Sequence, residues 1–369
     1  SPTNCFSLAT RTSSLSLVRL KGAGQSHPNV YTNEGRRAGK GDGKEFCDLL
    51  VVFGDHVILF SDKDCQYRPH PDQKVAWTRW YKKSVAASAR QLAGAKSWIE
   101  RFPNKLFLDR QCQNPLPLEI PSKERIKIHL VAVARGATAS AVEYWKSISK
   151  QFCDKHDQTL CQAEPSSGSL MLRTEIEKNQ HYDSPFQIGW PLGKDQYVHV
   201  FDDATLDVIL GVLDTVPDFV RYLEKKEELF RRPCENFIVP GEEDLLATFL
   251  SSTRAGDLEP SFPPPTGRKF VLLREGAWKE LVSDRAFLAR MKANRISYLW
   301  DTLIEFQASH LIAGSAYTMD GDHSVIPIEH VLRKMAEETR LTRRELGAAL
   351  HRGGASAGIF LMRSPSVML

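Results

Sequence analysis

The stretch from Gly43 to Lys63 constrains this chain more than any other. It reads Lys44-Glu45-Phe46-Cys47-Asp48-Leu49-Leu50-Val51-Val52-Phe53, then Gly54-Asp55, then His56-Val57-Ile58-Leu59-Phe60-Ser61-Asp62-Lys63. Two apolar runs joined by a Gly-Asp turn predict a hairpin of buried strands. The first run opens on acids and the second closes on a lysine. An ionised Asp or Lys beside so much Val, Ile and Leu is costly unless the charge is paired or holds a metal, so these strand ends call for a site.

The segments that follow extend the hairpin into an α/β pattern. Pro69 and Pro71 mark a loop, and a helix is expected over 76–100, stopped by Pro103. On it Tyr81, Val85, Ala89, Leu92 and Ile99 make an apolar face, with Ser84, Ser88, Gln91 and Ala95 as a neighbouring stripe of mostly small residues. Trp77 and Trp80, at its start, suit either a core or a stacking platform for bases. Further strands are expected over 105–109 and 125–134. Strand, strand, helix, strand, strand is an α/β order. Residues 1–44, rich in Ser, Gly and Asn, read as a flexible lead-in.

Charge is uneven along the 369 residues, although the net value is only +4. Residues 1–136 carry 22 Lys/Arg against 12 Asp/Glu, residues 137–266 carry 12 against 22, and residues 267–369 carry 15 against 11. A basic segment that also holds the charged strand ends is what a phosphate-backbone binder needs. Arg79, Lys82, Lys83 and Arg90 on the expected helix are the candidate nucleic-acid contacts. No apolar run reaches the roughly 18 residues of a bilayer span, and Ser1-Pro2-Thr3-Asn4 lacks signal architecture, which predicts a soluble protein without membrane partners. Seven cysteines without any C-x-x-C suggest a reducing cytoplasm. Cys153, His156 and Cys161 are too few and too poorly spaced for a zinc cluster.

The remainder divides by composition. Residues 137–259 read as an acidic, largely helical domain: a short strand at 197–201, a helix capped by Asp202, Asp203 or Thr205, a second opened by Thr215, and acids at 242–244 ahead of a third. Capping explains Asp202, Asp203 and Asp207 better than a metal does. Pro260 to Pro265 reads as a linker into a mixed α+β segment over 260–369. There a strand is expected over 269–274, a broken helix over 278–306, a helix over 328–352 with Glu337, Glu338, Arg340, Arg343 and Arg344 facing solvent, and a closing strand over 358–362.

Hydrolysis of a phosphodiester with Mg²⁺ or Mn²⁺ needs oxygen ligands, a cation near the developing charge and a positioned water. Asp48 and Lys63 can converge because antiparallel strands bring distant residues side by side. The residues resemble the PD-(D/E)xK nuclease superfamily, which has an acid on one core strand, (D/E)-x-K on the next and then a helix packed on the sheet. Asp48 resembles the first acid, Ser61-Asp62-Lys63 occupies the (D/E)-x-K position, and Gln91 matches the glutamine that one branch places on the helix. The resemblance spans about a quarter of the chain, residues 43–136. It implies a restriction-endonuclease-like mixed sheet flanked by helices in a nuclease-like domain over 1–136, with the helical and mixed α+β segments as additions. It also implies a catalytic set of Asp48, Ser61, Lys63 and Gln91, metal ligands among Glu45, Asp48 and Asp62, and a role in restriction or anti-phage defence.

One departure stands out. Strand alternation puts Ser61, not an acid, on the face of Lys63 and turns Asp62 away. Three arrangements follow: a bulge near Ser61 that swings Asp62 inward, Glu45 standing in for the missing carboxylate, or a silent site that grips nucleic acid or a partner subunit without cutting. DNA is expected ahead of RNA, and a protein partner or homo-oligomer fits the large remainder.

Overall fold

The computed structural model describes residues 26–34, 42–153, 170–233, 235–252, 259–312 and 325–363. Cys153 ends a helix within this set, whereas His156 and Cys161 lie outside it. Of the described residues, 26–212 and 220–282 form one compact unit, and 213–219 with 283–363 form a second.

The first unit is built on the hairpin. Strand β1 (Ser26–Thr32) precedes β2 (Lys44–Phe53) and β3 (His56–Asp64), and the three make an antiparallel meander. Gly54 turns the hairpin with φ +55°, a left-handed conformation that glycine adopts without strain. From β3 the chain enters α1 (Gln73–Lys83) and α2 (Val85–Arg101), passes the short β4 (Leu106–Phe107) and returns as β5 (Lys127–Arg135), parallel to β3. After α3 (Thr138–Cys153), β6 (Met171–Arg173) and β7 (Gln187–Ile188), strand β8 (His199–Phe201) pairs parallel with β5. The main sheet therefore runs β4-β1-β2-β3-β5-β8, a six-stranded mixed sheet flanked by helices. Its α/β class agrees with the sequence reading.

Val57 to Phe60 and Leu130 to Ala134 are all buried, as parallel neighbours covered on both faces must be. Helix α2 packs on β2, β3 and β5 through Val85, Ala89, Leu92 and Ile99, the apolar face read from the sequence. Small residues at Ser88, Ala89 and Ala95 let its backbone lie close. The expected single helix is in fact two, broken at Ser84, where φ −94° and ψ −81° leave the helical region. Trp77 and Trp80 are core residues: both are buried, and their indole N–H groups donate to the carbonyls of His181 (2.5 Å) and Cys65 (2.8 Å). Satisfied and covered, neither presents a ring to a base.

Residues 137–259 hold more than helices. Helices α4 (Asp203–Val212), α5 (Val216–Phe230) and α6 (Glu242–Ser251) fall where expected, and Asp202 caps α4 by accepting from the Thr205 N–H at 2.8 Å. Strand β9 (Asn236–Val239) pairs with β6 and with β10 (Phe270–Leu272) in a second sheet of order β10-β9-β6-β7. These strands of two to four residues are too short to show an alternation, which is why the sequence reading passes over all but β10.

In the second unit, α7 (Ala277–Ser283), whose last residue alone belongs here, gives way to α8 (Arg285–Ala293), α9 (Tyr298–Ile312), α10 (Val325–Ala336) and α11 (Arg340–Arg363). Two expectations fail. Residues 358–362 continue α11 and form no closing strand. Arg340 and Arg343 do not face solvent: Arg343 donates to Asp301 (2.6 Å) and to the Ala336 carbonyl, and Arg340 donates to Asp301 and Asp214 at 2.8 Å. Asp301 accepts from both guanidinium groups, so each buried charge is paired.

Candidate functional site

At the open end of the hairpin, the Lys63 ammonium lies 3.8 Å from Asp48 Oδ2. The two side chains are 31% and 24% exposed, so the pair is reachable from solvent. Asp48 is also fixed from the neighbouring strand: its Oδ2 accepts the Asp62 backbone N–H at 2.5 Å. That bond holds the carboxylate across the β2–β3 ladder.

Glu45 joins Asp48 through an irregularity in β2. Along β1, Val30 opposes Cys47 while the next residue, Tyr31, opposes Glu45, so Phe46 is an extra residue in the ladder. Residues three apart on a regular strand face opposite sides, and one inserted residue reverses that parity. Glu45 thereby comes into hydrogen-bonding contact with Asp48. Partial burial and then the Asp48 charge raise the Glu45 carboxyl above its ordinary pKa, while Lys63 and Arg110 pull it down. The bulge envisaged near Ser61 does not occur: β3 pairs with β5 without interruption from His56↔Lys127 to Asp64↔Arg135.

Unbroken register sends Asp62 elsewhere. Its carboxylate takes two bonds from the Arg135 guanidinium, at 2.8 and 3.2 Å, on the adjacent strand β5. Gly136 follows with φ +86°, where an added Cβ would come within 2.6 Å of the Cys65 carbonyl oxygen, so the β5 exit fits only glycine. Asp62 thus meets Asp48 through its backbone N–H, while its carboxylate is held by Arg135.

Ser61 is fully buried against α2. Its hydroxyl lies 3.2 Å from Ser88 Oγ and 3.1 Å from Gln91 Oε1, so the serine, the small stripe and the glutamine meet. Ser61 and Gln91 thus join the helix to the strand that carries Lys63. Arg79, Lys82, Lys83 and Arg90 lie on α1 and α2, all four exposed, with Lys82 also over the Tyr182 ring at 5.2 Å.

The donor set suits a hard divalent cation. Two carboxylates in contact repel once both are ionised, and a cation held between them relieves that repulsion. Arg135 and Arg110 are the residues that sequence reasoning missed here. Arg135 follows an apolar strand and shows no motif, while Arg110 is brought near Glu45 by the loop whose carbonyl at 110 accepts the Gly43 N–H at 2.6 Å.

A second cluster lies at the turn end of the same hairpin. His56 Nδ1 and His129 Nε2 are 3.0 Å apart, and Glu224 Oε1 of α5 is 3.9 Å from His56 Nδ1. No protein-family model, curated protein or solved structure matches the chain. Among the described residues no helix is long and apolar enough to cross a membrane.

Proposed function

We propose that this chain is a metal-dependent phosphodiester hydrolase acting on nucleic acid, DNA ahead of RNA, of the PD-(D/E)xK type. The convergence of Asp48, Glu45 and Lys63 at one solvent-accessible strand end carries the reading. An acid on β2, a lysine on β3 and a glutamine on the helix behind them form the set that the resemblance implies.

Asp48 and Glu45 would hold Mg²⁺ or Mn²⁺ through carboxylate oxygens. A bound ion of this kind polarises a phosphoryl oxygen and acidifies water. The Lys63 ammonium, reaching the same solvent space, stabilises negative charge that develops on the phosphate. Ser61 and Gln91 brace the lysine strand against α2. Arg79, Lys82, Lys83 and Arg90 supply phosphate contacts along the helices and so carry the salt-dependent part of binding. A serine in place of the second strand's acid leaves Glu45, delivered by the β2 irregularity, as the second carboxylate.

The test is incubation of the protein with plasmid DNA and with RNA, in Mg²⁺, in Mn²⁺ and with chelator. Metal-dependent cleavage lost in Asp48→Ala and Lys63→Ala supports the hydrolase. Salt-sensitive binding without cleavage under any metal assigns the fold to a gripping role, and neither activity overturns both readings.

A further inference from the structure

We infer that His56, His129 and Glu224 form a second metal site, specific for a borderline transition ion such as Zn²⁺ and separate from the Asp48 end of the hairpin. Seven residues at about 3.4 Å each put the two ends roughly 24 Å apart along β3. Each ligand comes from a different element: His56 opens β3, His129 lies on β5 and Glu224 on α5. Their donor atoms all lie within 4.8 Å of one another, and no other described set of three His, Cys, Asp or Glu residues does this.

The spacing is near what tetrahedral coordination asks. Zinc with bonds of about 2.0–2.1 Å sets neighbouring donors about 3.3 Å apart. The two imidazole nitrogens, now at 3.0 Å, must separate by a few tenths of an ångström, and Glu224 must close from 3.9 Å by a little more. His56 is half-buried and Glu224 is partly exposed, so both have room for that adjustment. The single hydrogen between the rings moves to the other nitrogen of one imidazole when the ion enters.

Chemistry selects the ion. Two imidazoles and one carboxylate suit Zn²⁺, Co²⁺ or Ni²⁺ and not Mg²⁺, which prefers oxygen donors. Burial first, then neighbouring charge, holds His129 down to about 4, and burial first holds His56 below its ordinary value, so both rings are neutral near pH 7 with lone pairs to give. One group opposes binding: the Lys127 ammonium sits 2.9 Å from Glu224 Oε1. Lys127 is 58% exposed, so it can swing into water as the ion takes its place.

The experiment uses the full chain, stripped with chelator and titrated with Zn²⁺ by calorimetry and with Co²⁺ by its visible absorption. One ion per chain is expected with a tetrahedral Co²⁺ spectrum, kept in Asp48→Ala and weakened more than about tenfold in His56→Gln and in Glu224→Gln. Both substitutions fall at partly exposed positions, and circular dichroism confirms that the variants fold. Lys127→Met should bind more tightly. No binding of either ion to the folded protein overturns the site, as does binding indifferent to His56→Gln and Glu224→Gln.

Discussion

The two ends of one hairpin carry opposite chemistry. At the open end two carboxylates and an ammonium meet on strands β2 and β3, with lysines and arginines on the helices that follow. At the turn end two imidazoles and a carboxylate meet on β3, β5 and α5. Hard oxygen donors assemble from residues close in sequence, whereas the nitrogen-rich set comes from three separate elements. Local pattern can therefore announce the first and is silent about the second.

The sharpest way to break the contrast is at the open end. Removing Lys63 as Lys63→Ala should lower the cleavage rate by about 10²–10³, the usual cost of deleting one group that meets developing charge. Asp48→Ala should cost at least as much, because the carboxylate that holds the ion goes with it. Single-turnover cleavage of a defined duplex measures both, and rates within tenfold of the parent protein would sink the assignment.

Acid should act on the core in two places, at His129 by the turn end and at His181, which stacks on Tyr81 of α1. Both are held down to about 4 by burial, against an ordinary value of 6.5. A histidine with a depressed folded pKa contributes stability that is full above the unfolded pKa and is lost as pH falls toward the folded one. Unfolding free energy should thus fall between about pH 6.5 and 4, by on the order of 2–3 kcal/mol for each group. Urea melts across that window test it, and His129→Gln should flatten the slope.

Smaller effects separate bracing from chemistry at the open end. Arg135→Ala leaves the Asp62 carboxylate without its two guanidinium bonds in a site where each partner is less than a fifth exposed. A drop of about 2 kcal/mol in denaturant stability is expected. Ser61→Ala should cost about 1 kcal/mol, since only neutral hydrogen bonds to Ser88 and Gln91 are removed. Neutralising Arg79, Lys82, Lys83 and Arg90 to Gln should lower the slope of log affinity against log salt by roughly 0.7–0.9 for each phosphate no longer neutralised. A slope unchanged in the fourfold variant would remove those side chains from the nucleic-acid surface.

The hairpin, its turn, the apolar face of α2 and the caps of α4 and α5 were all legible, because each rests on a period or a cap that local sequence encodes. Strand β1 was hidden in a polar lead-in, and β6, β7 and β9 are too short to carry a period. The solvent assignment of Arg340 and Arg343 failed for a different reason: charge alone does not disclose that Asp301 waits across the helix pair. Alternation places Ser61 on the face of Lys63, and only the small stripe beside Gln91 points to that helix side chain reaching the sheet, where the two meet. Glu45 was named beside Asp48 from the resemblance alone, since counting by twos puts the two on opposite sides.

That contact depends on Phe46 being one residue too many in its strand. The carboxylate pair is thus set by chain length as much as by residue type. Substitution at Phe46 trims packing and leaves parity alone, whereas deletion would rotate Glu45 to the far side while every other letter stays the same. In a lineage of such chains, insertions and deletions inside β2 would switch the number of acids at the open end, and an alignment that forbids gaps in strands would misplace them.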